Sequence, residues 1–98
     1  MNCNSYEVFF RNFSNKTKFD IVMSLKNKPM SVMELTKALG EEQSKISHSL
    51  TSLANCGILS MKREGKQRIY SLNKETIMPI LDLVQKHVEK CCTRRCKR

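Results

Sequence analysis

Ser31-Val32-Met33-Glu34-Leu35-Thr36-Lys37-Ala38-Leu39-Gly40, followed by Glu41-Glu42-Gln43-Ser44-Lys45-Ile46-Ser47-His48-Ser49-Leu50-Thr51-Ser52-Leu53-Ala54-Asn55-Cys56-Gly57, decides the fold. Its first four residues spell a capping box: the Ser31 hydroxyl accepts from the Glu34 N–H, and the Glu34 carboxylate reaches back to Ser31. The spacing predicts a short helix with Val32, Leu35, Ala38 and Leu39 facing inward. Gly40 stands where a residue of positive φ ends a helix. A second helix, roughly 42–55, repeats Ile46, Leu50 and Leu53 on one side; Gln43, Ser44, Lys45, Ser47, His48 and Thr51 take the other, and Gly57 closes it. Two amphipathic helices separated by a few residues have the helix-turn-helix layout.

Towards the C-terminus, residues 58–63 and 66–72 read as two strands around Glu64-Gly65, with glycine supplying the positive φ of a tight hairpin. The hairpin carries Lys62, Arg63, Lys66 and Arg68. Charge at a hairpin tip can serve solubility alone; directly after a helix-turn-helix it reads as a basic wing. From Asn73 onward Ile77, Leu81, Val84, Val88 and Cys91 recur with a period near that of a helix, with Ile80 and His87 adjoining. Pro79 requires either a short turn before that helix or a kink within it. Residues 1–90 therefore form one winged helix-turn-helix domain, and 91–98 form a basic, cysteine-containing tail expected to fray.

Towards the N-terminus, Ser5 caps a helix running to about Phe13, with Tyr6, Phe9, Phe10 and Phe13 at helical spacing. Ser14-Asn15 offers a stop and a new cap. The segment 16–26 lines up Phe19, Val22, Met23 and Lys26, flanked by Ile21 and Leu25, and Pro29 ends it. The expected fold is mainly α with a small β-hairpin. A chain of 98 residues builds one core with little stability to spare, so burial shared with a second copy is expected. The surplus apolar surface lies on the terminal helices, at Phe9, Phe10, Ile80, Leu81, Val84 and Val88.

The net charge of +9 favours an anionic partner: nucleic acid, an acidic protein or an anionic membrane surface. The apolar run Val8-Phe9-Phe10 has no basic residues before it and is too short for a signal peptide, and no apolar stretch approaches a membrane span. Five cysteines cannot all pair within the chain; with no export signal they read as free thiols in a reducing cytoplasm. There is no phosphate-cradling glycine motif and no HExxH, so an enzyme is not expected.

The ordered set resembles the ArsR/SmtB family of winged-helix repressors. Asn12 to Phe19 with Ile21-Val22 is similar to the family's entry into its second helix. Glu34-Leu35-Thr36-Lys37-Ala38-Leu39-Gly40, Gln43 to Leu50, and Leu53 with Cys56-Gly57-Ile58-Leu59 are similar to its core; Arg63-Glu64-Gly65-Lys66 and Ile69-Tyr70-Ser71-Leu72 resemble its wing. The resemblance implies a homodimer formed by the terminal helices, with reading helices in successive major grooves of double-stranded DNA and wings on the flanking backbone. Gln43, Ser44, Lys45, Ser47 and His48 then reach base edges, although His48 has a structural hydrogen bond as its competing role. Lys62, Arg63, Lys66 and Arg68 meet phosphates.

Departures from the family pattern are informative. The third-helix cysteines of metal-binding members are absent from Met30-Ser31-Val32-Met33-Glu34-Leu35. So is the C-terminal zinc pattern, since Asp82 is followed by Leu83-Val84. Glu41-Glu42 precede the reading helix; they suit its dipole but repel phosphate, so they either point away from DNA or reduce non-specific affinity.

Cys91, Cys92 and Cys96 are the second functional signal. Cys92 and Cys96 are one helical turn apart, as are His87 and Cys91. Three thiolates suit As(III) or Sb(III), and the same set with His87 suits tetrahedral Zn²⁺. Lys90, Arg94, Arg95 and Lys97 favour the thiolate form. Some arsenite-responsive relatives carry a similar tail. No cofactor is required; such an ion would act as inducer. Cys56, before Gly57, reads as a core residue, and Cys3 is a more distant candidate to approach the other subunit's tail. The expected function is a repressor released by a thiophilic ion. The alternatives are a DNA-binding regulator without metal sensing, whether ligand-independent or thiol-redox, a protein-interaction module, or a tail whose cysteines do nothing specific.

Overall fold

Ile21, Val22 and Leu25, Leu35, Ile46, Leu50 and Leu53, Ile58 and Leu59, Tyr70 and Leu72, and Ile77 bury their side chains in one core. In the computed structural model, which describes residues 5–92, this core is enclosed by α1 (Tyr6–Arg11), α2 (Lys16–Asn27), β1 (Met30–Ser31), α3 (Val32–Leu39), α4 (Gln43–Asn55), β2 (Leu59–Glu64), β3 (Gln67–Leu72) and α5 (Ile77–His87). A π-helical turn, Val88–Cys92, continues α5.

The local signals act as their chemistry dictates. Ser31 Oγ accepts from the Glu34 N–H at 3.2 Å, and the Glu34 carboxylate accepts from the Ser31 N–H at 2.8 Å. Gly40 ends α3 at φ 68°, a left-handed conformation that costs an L side chain energy. Asn15 caps α2 by accepting from the Lys18 N–H.

Tertiary contacts account for the differences from the sequence reading. The hairpin belongs to a three-stranded antiparallel sheet of order β1-β3-β2, because Met30 and Ser31 pair with Tyr70 and Ile69. The first helix stops at Arg11: the buried Asn12 carboxamide donates back to the Val8 and Phe9 carbonyls, and the chain turns through 12–14. Ala38 is exposed rather than inward-facing. Pro79 is the third residue of α5, where an N–H would have no intrahelical acceptor, so no kink is needed. The turn before α5 is built by Asn73, whose Oδ1 accepts from the Glu75 and Thr76 N–H groups while its Nδ2 donates to the Gly57 carbonyl at 3.0 Å.

Leu50 is fully buried between these layers. Leu50→Ala is expected to cost about 2–5 kcal/mol, a large part of the roughly 5–15 kcal/mol that stabilises a domain. Urea denaturation measures it; a loss under 1 kcal/mol would mean that the site collapses around the cavity or is not packed as described.

Candidate nucleic-acid interface

The polar side of α4 remains on the surface because Ile46, Ser49, Leu50 and Leu53 take the buried side. Gln43, Ser44, Lys45 and His48 are exposed and Ser47 is half-buried. The N-cap residue of α4, Glu42, makes no side-chain hydrogen bond to the first N–H groups of the helix. The His48 side chain makes no hydrogen bond to another described residue.

The wing projects beyond the core. Leu59 opposes Leu72, Met61 opposes Tyr70 and Arg63 opposes Arg68, so alternation places both guanidinium groups on the face of the ribbon that continues from the core. Lys62, opposite Ile69, lies on the other face, and Lys66 sits in the tip. None of these four cations is in an ion pair among the described residues. A cleft of about 230 Å³ joins wing to reading helix and is lined by Met33, Gln43, Lys66 and Arg68. The fold thus brings Gln43 together with Lys66 and Arg68, and keeps Lys62 apart from them.

A second groove, of about 370 Å³, runs along the other flank of α4 between Lys18, His48, Thr51, Ser52 and Asn55. Sequence reasoning missed Lys18. The available signal was its place, with Lys16, in the first turn of α2, where the helix dipole disfavours cations. Its ammonium donates to Asn12 Oδ1 at 3.4 Å.

Two carboxylates near this face are held in ion pairs, while Glu42 and Glu64 are exposed and in no ion pair among the described residues. Glu41 lies 3.3 Å from Lys45, and Asp20 lies 2.9 Å from Lys16. The Asp20 hydrogen bond and charge, with a weaker pull from Glu41, hold the Lys16 ammonium above the ordinary lysine value.

At the far end of the fold, Cys91 is an exposed free thiol in the π turn and His87 is the exposed last residue of α5. Among the described residues no three His, Cys, Asp or Glu side chains stand together as a metal-binding group. Cys3, Cys96 and the side chain of Cys92 lie outside the described residues. Cys56 packs half-buried against the core and is disulfide-bonded, so the expectation of free thiols throughout does not hold for it.

The terminal helices expose Tyr6, Phe10, Ile80, Leu83, Val84 and Val88, with Leu83 at 65% and Val84 at 52%. Phe9 and Leu81 are half-buried and pack partly against their own core, and Phe9 meets the Phe10 and Phe13 rings at 5.2 and 5.3 Å. Leu83 was absent from the sequence-based set because it is offset from the main apolar period. Among the described residues no helix is long and apolar enough to cross a membrane.

Residues 15–61 match the family model described as "Bacterial regulatory protein, arsR family". The HTH-type transcriptional regulator NmtR of Mycobacterium tuberculosis is 38% identical over 69 residues, which make up 70% of this chain and 58% of that protein. The chain therefore spans less than two thirds of that curated relative. The solution structure of apo-NmtR superposes with a TM-score of 0.70 at 32% identity, covering 83% of this chain and 68% of that one. Rv0081 of M. tuberculosis gives a TM-score of 0.80 at 27% identity over 90% and 89% of the two chains. The homodimeric winged helix-turn-helix DNA-binding domain of Mb0332 from Mycobacterium bovis gives 0.74 at 22% identity over 82% and 74%, a likeness of fold alone.

Proposed function

We propose that this chain, which belongs to the arsR family of bacterial regulatory proteins, is a cytoplasmic DNA-binding repressor that acts as a homodimer and leaves DNA when a thiophilic ion binds its C-terminal cysteines. The family is one of regulators, not enzymes. The observation that carries the DNA reading is Arg63 directly opposite Arg68, neither in an ion pair among the described residues, on the wing face next to Gln43. Like charges opposed across a ribbon repel. An anion lying between them removes that repulsion, and the DNA backbone presents anions at regular intervals.

On this reading Gln43, Ser44, Lys45, Ser47 and His48 enter the major groove, and Lys62, Arg63, Lys66 and Arg68 hold flanking phosphates. The exposed residues of α1 and α5 pair with those of a second copy, setting the two reading helices about one DNA turn apart, roughly 34–36 Å. Random-sequence enrichment followed by gel shift tests this. Failure to enrich any duplex, with binding instead to an acidic protein, would favour the interaction-module reading.

The inducer reading rests on donor chemistry. Exposed Cys91 supplies one sulfur, and Cys92 and Cys96 would complete a three-thiolate set suited to As(III) or Sb(III). With His87 the same set would suit Zn²⁺. Arsenite is expected to loosen operator binding about 5–150-fold, a coupling of about 1–3 kcal/mol. Cys92→Ser should abolish that response while leaving the apo affinity intact; normal release by this variant in a gel-shift titration removes the site.

The disulfide of Cys56 favours a second reading, a thiol-redox regulator, because it lies between the reading helix and the wing. A dithiol reductant would open that bond and itself be oxidised. DNA affinity that changes with reductant but not with arsenite selects this reading over the first.

A further inference from the structure

Lys45 is the single Lys or Arg residue of α4 and is held in an ion pair at the place where a reading helix meets DNA. Its Nζ is 3.3 Å from Glu41 Oε1, and the Glu41 side chain is only 28% exposed against 56% for Lys45. Glu41, in the turn between α3 and α4, is therefore the less exposed partner, and its charge is also felt by Lys16 at the start of α2. Lys16 in turn holds Asp20. The four wing cations present the contrast, since none has a carboxylate partner among the described residues.

We propose that Glu41 is a specificity-determining residue: it neutralises Lys45 towards phosphate and leaves it available to neutral base edges. The inference rests on the DNA-binding reading and adds a division of labour to it. A chain of net charge +9 attracts any duplex, and indiscriminate attraction works against a regulator that must find one site. A phosphate approaching Lys45 meets the Glu41 carboxylate as well, so its gain in attraction is largely cancelled. A guanine edge offers the neutral acceptors O6 and N7, which Glu41 does not repel. An ammonium has three N–H donors, so Lys45 can keep Glu41 and still donate to such a base. The wing supplies charge-driven affinity, and the reading helix contributes little of it. The two acidic residues before α4 thereby acquire different roles: Glu41 is paired with Lys45, while Glu42 is the exposed N-cap residue.

The test is fluorescence anisotropy of the full chain on an arbitrary duplex and on an enriched site, across a salt series. It compares the wild type with Glu41→Gln, Lys45→Gln and the double variant. Glu41→Gln is expected to bind the arbitrary duplex about five- to tenfold tighter near 0.1 M salt, with the log–log salt slope steeper by about 0.9, the value for one added phosphate contact. The ratio of specific to arbitrary affinity should fall, and the gain should vanish in the double variant. Glu41→Ser should repeat the result if the glutamine variant folds poorly. Unchanged slope and affinity for Glu41→Gln overturn the proposal and leave the DNA reading standing. A gain that persists without Lys45 also overturns it, since the effect is then one of net charge. Absence of duplex binding by the wild type overturns both readings.

Discussion

Duplex binding is expected to weaken roughly 10³–10⁵-fold when salt is raised from about 50 to about 200 mM. The expectation comes from counting charges. Each protomer presents Lys62, Arg63, Lys66 and Arg68 on the hairpin without a carboxylate partner among the described residues, so a dimer presents about eight, within the range of roughly 6–10 phosphate contacts that gives this loss. Eight contacts correspond to a log–log slope of about −7. Replacing Arg63 and Arg68 together by glutamine removes four of the eight and should reduce the slope by about 3.6 without altering which sequence is preferred. The change should not harm the fold, because both side chains are exposed and their mutual repulsion is relieved. Anisotropy across a salt series reads the slope directly. A flat salt dependence would remove the DNA reading and return the basic face to a protein partner.

The other large effect is expected from the terminal helices. Val84→Asp should convert the proposed dimer to a monomer and lower operator affinity by about 10²–10⁴-fold, the advantage that linking two binding modules confers. Val84 lies about half-exposed in the stripe Ile80, Leu83, Val84 and Val88, and α1 exposes the rings of Tyr6 and Phe10. Six exposed large apolar side chains on the two terminal helices need a cover, and two-fold symmetry lets the same patch cover itself. Symmetry also doubles the penalty: one substitution buries two unpaired carboxylates. The monomer should stay folded, because Val84 lies outside the core that Ile21, Leu35 and Leu50 define. Sedimentation velocity and anisotropy, run on the same samples, test the two halves of this expectation. A Val84→Asp protein that remains dimeric with wild-type affinity would place the interface elsewhere.

These two results bear on different links of one chain of causes. Salt reads the charge of the wing, and Val84→Asp reads the geometry that positions two wings together. A regulator of this kind needs both, since one half-site gives only a module's affinity. Release by an ion or by a thiol reaction at the cysteines would act on the second link, through the way α5 sits against its partner.

Signals complete within four or five residues were legible in the sequence. The Ser31–Glu34 capping box, the left-handed Gly40, the hairpin around Glu64-Gly65 and the inward row of α4 each depend on neighbours one turn or one strand pair away; the row expected on α2 is misplaced, since Phe19 and Met23 are exposed and Thr17, Ile21, Val22 and Leu25 take the buried side. Backbone sterics and helical periodicity suffice to specify the local signals, and with them the order of a winged helix-turn-helix. Tertiary structure decided the rest. Met30 and Ser31 became a strand because Tyr70 and Ile69, some forty residues later, offered an edge. Asn73 set the start of α5 by reaching the Gly57 carbonyl. Phe9 and Leu81 packed partly onto the core while Leu83 remained outside. Each of these outcomes depends on which polar group finds a partner, or which apolar one finds cover, once the chain is folded. Burial and hydrogen bonding across long sequence separations are properties of the packed molecule, and no local pattern encodes them.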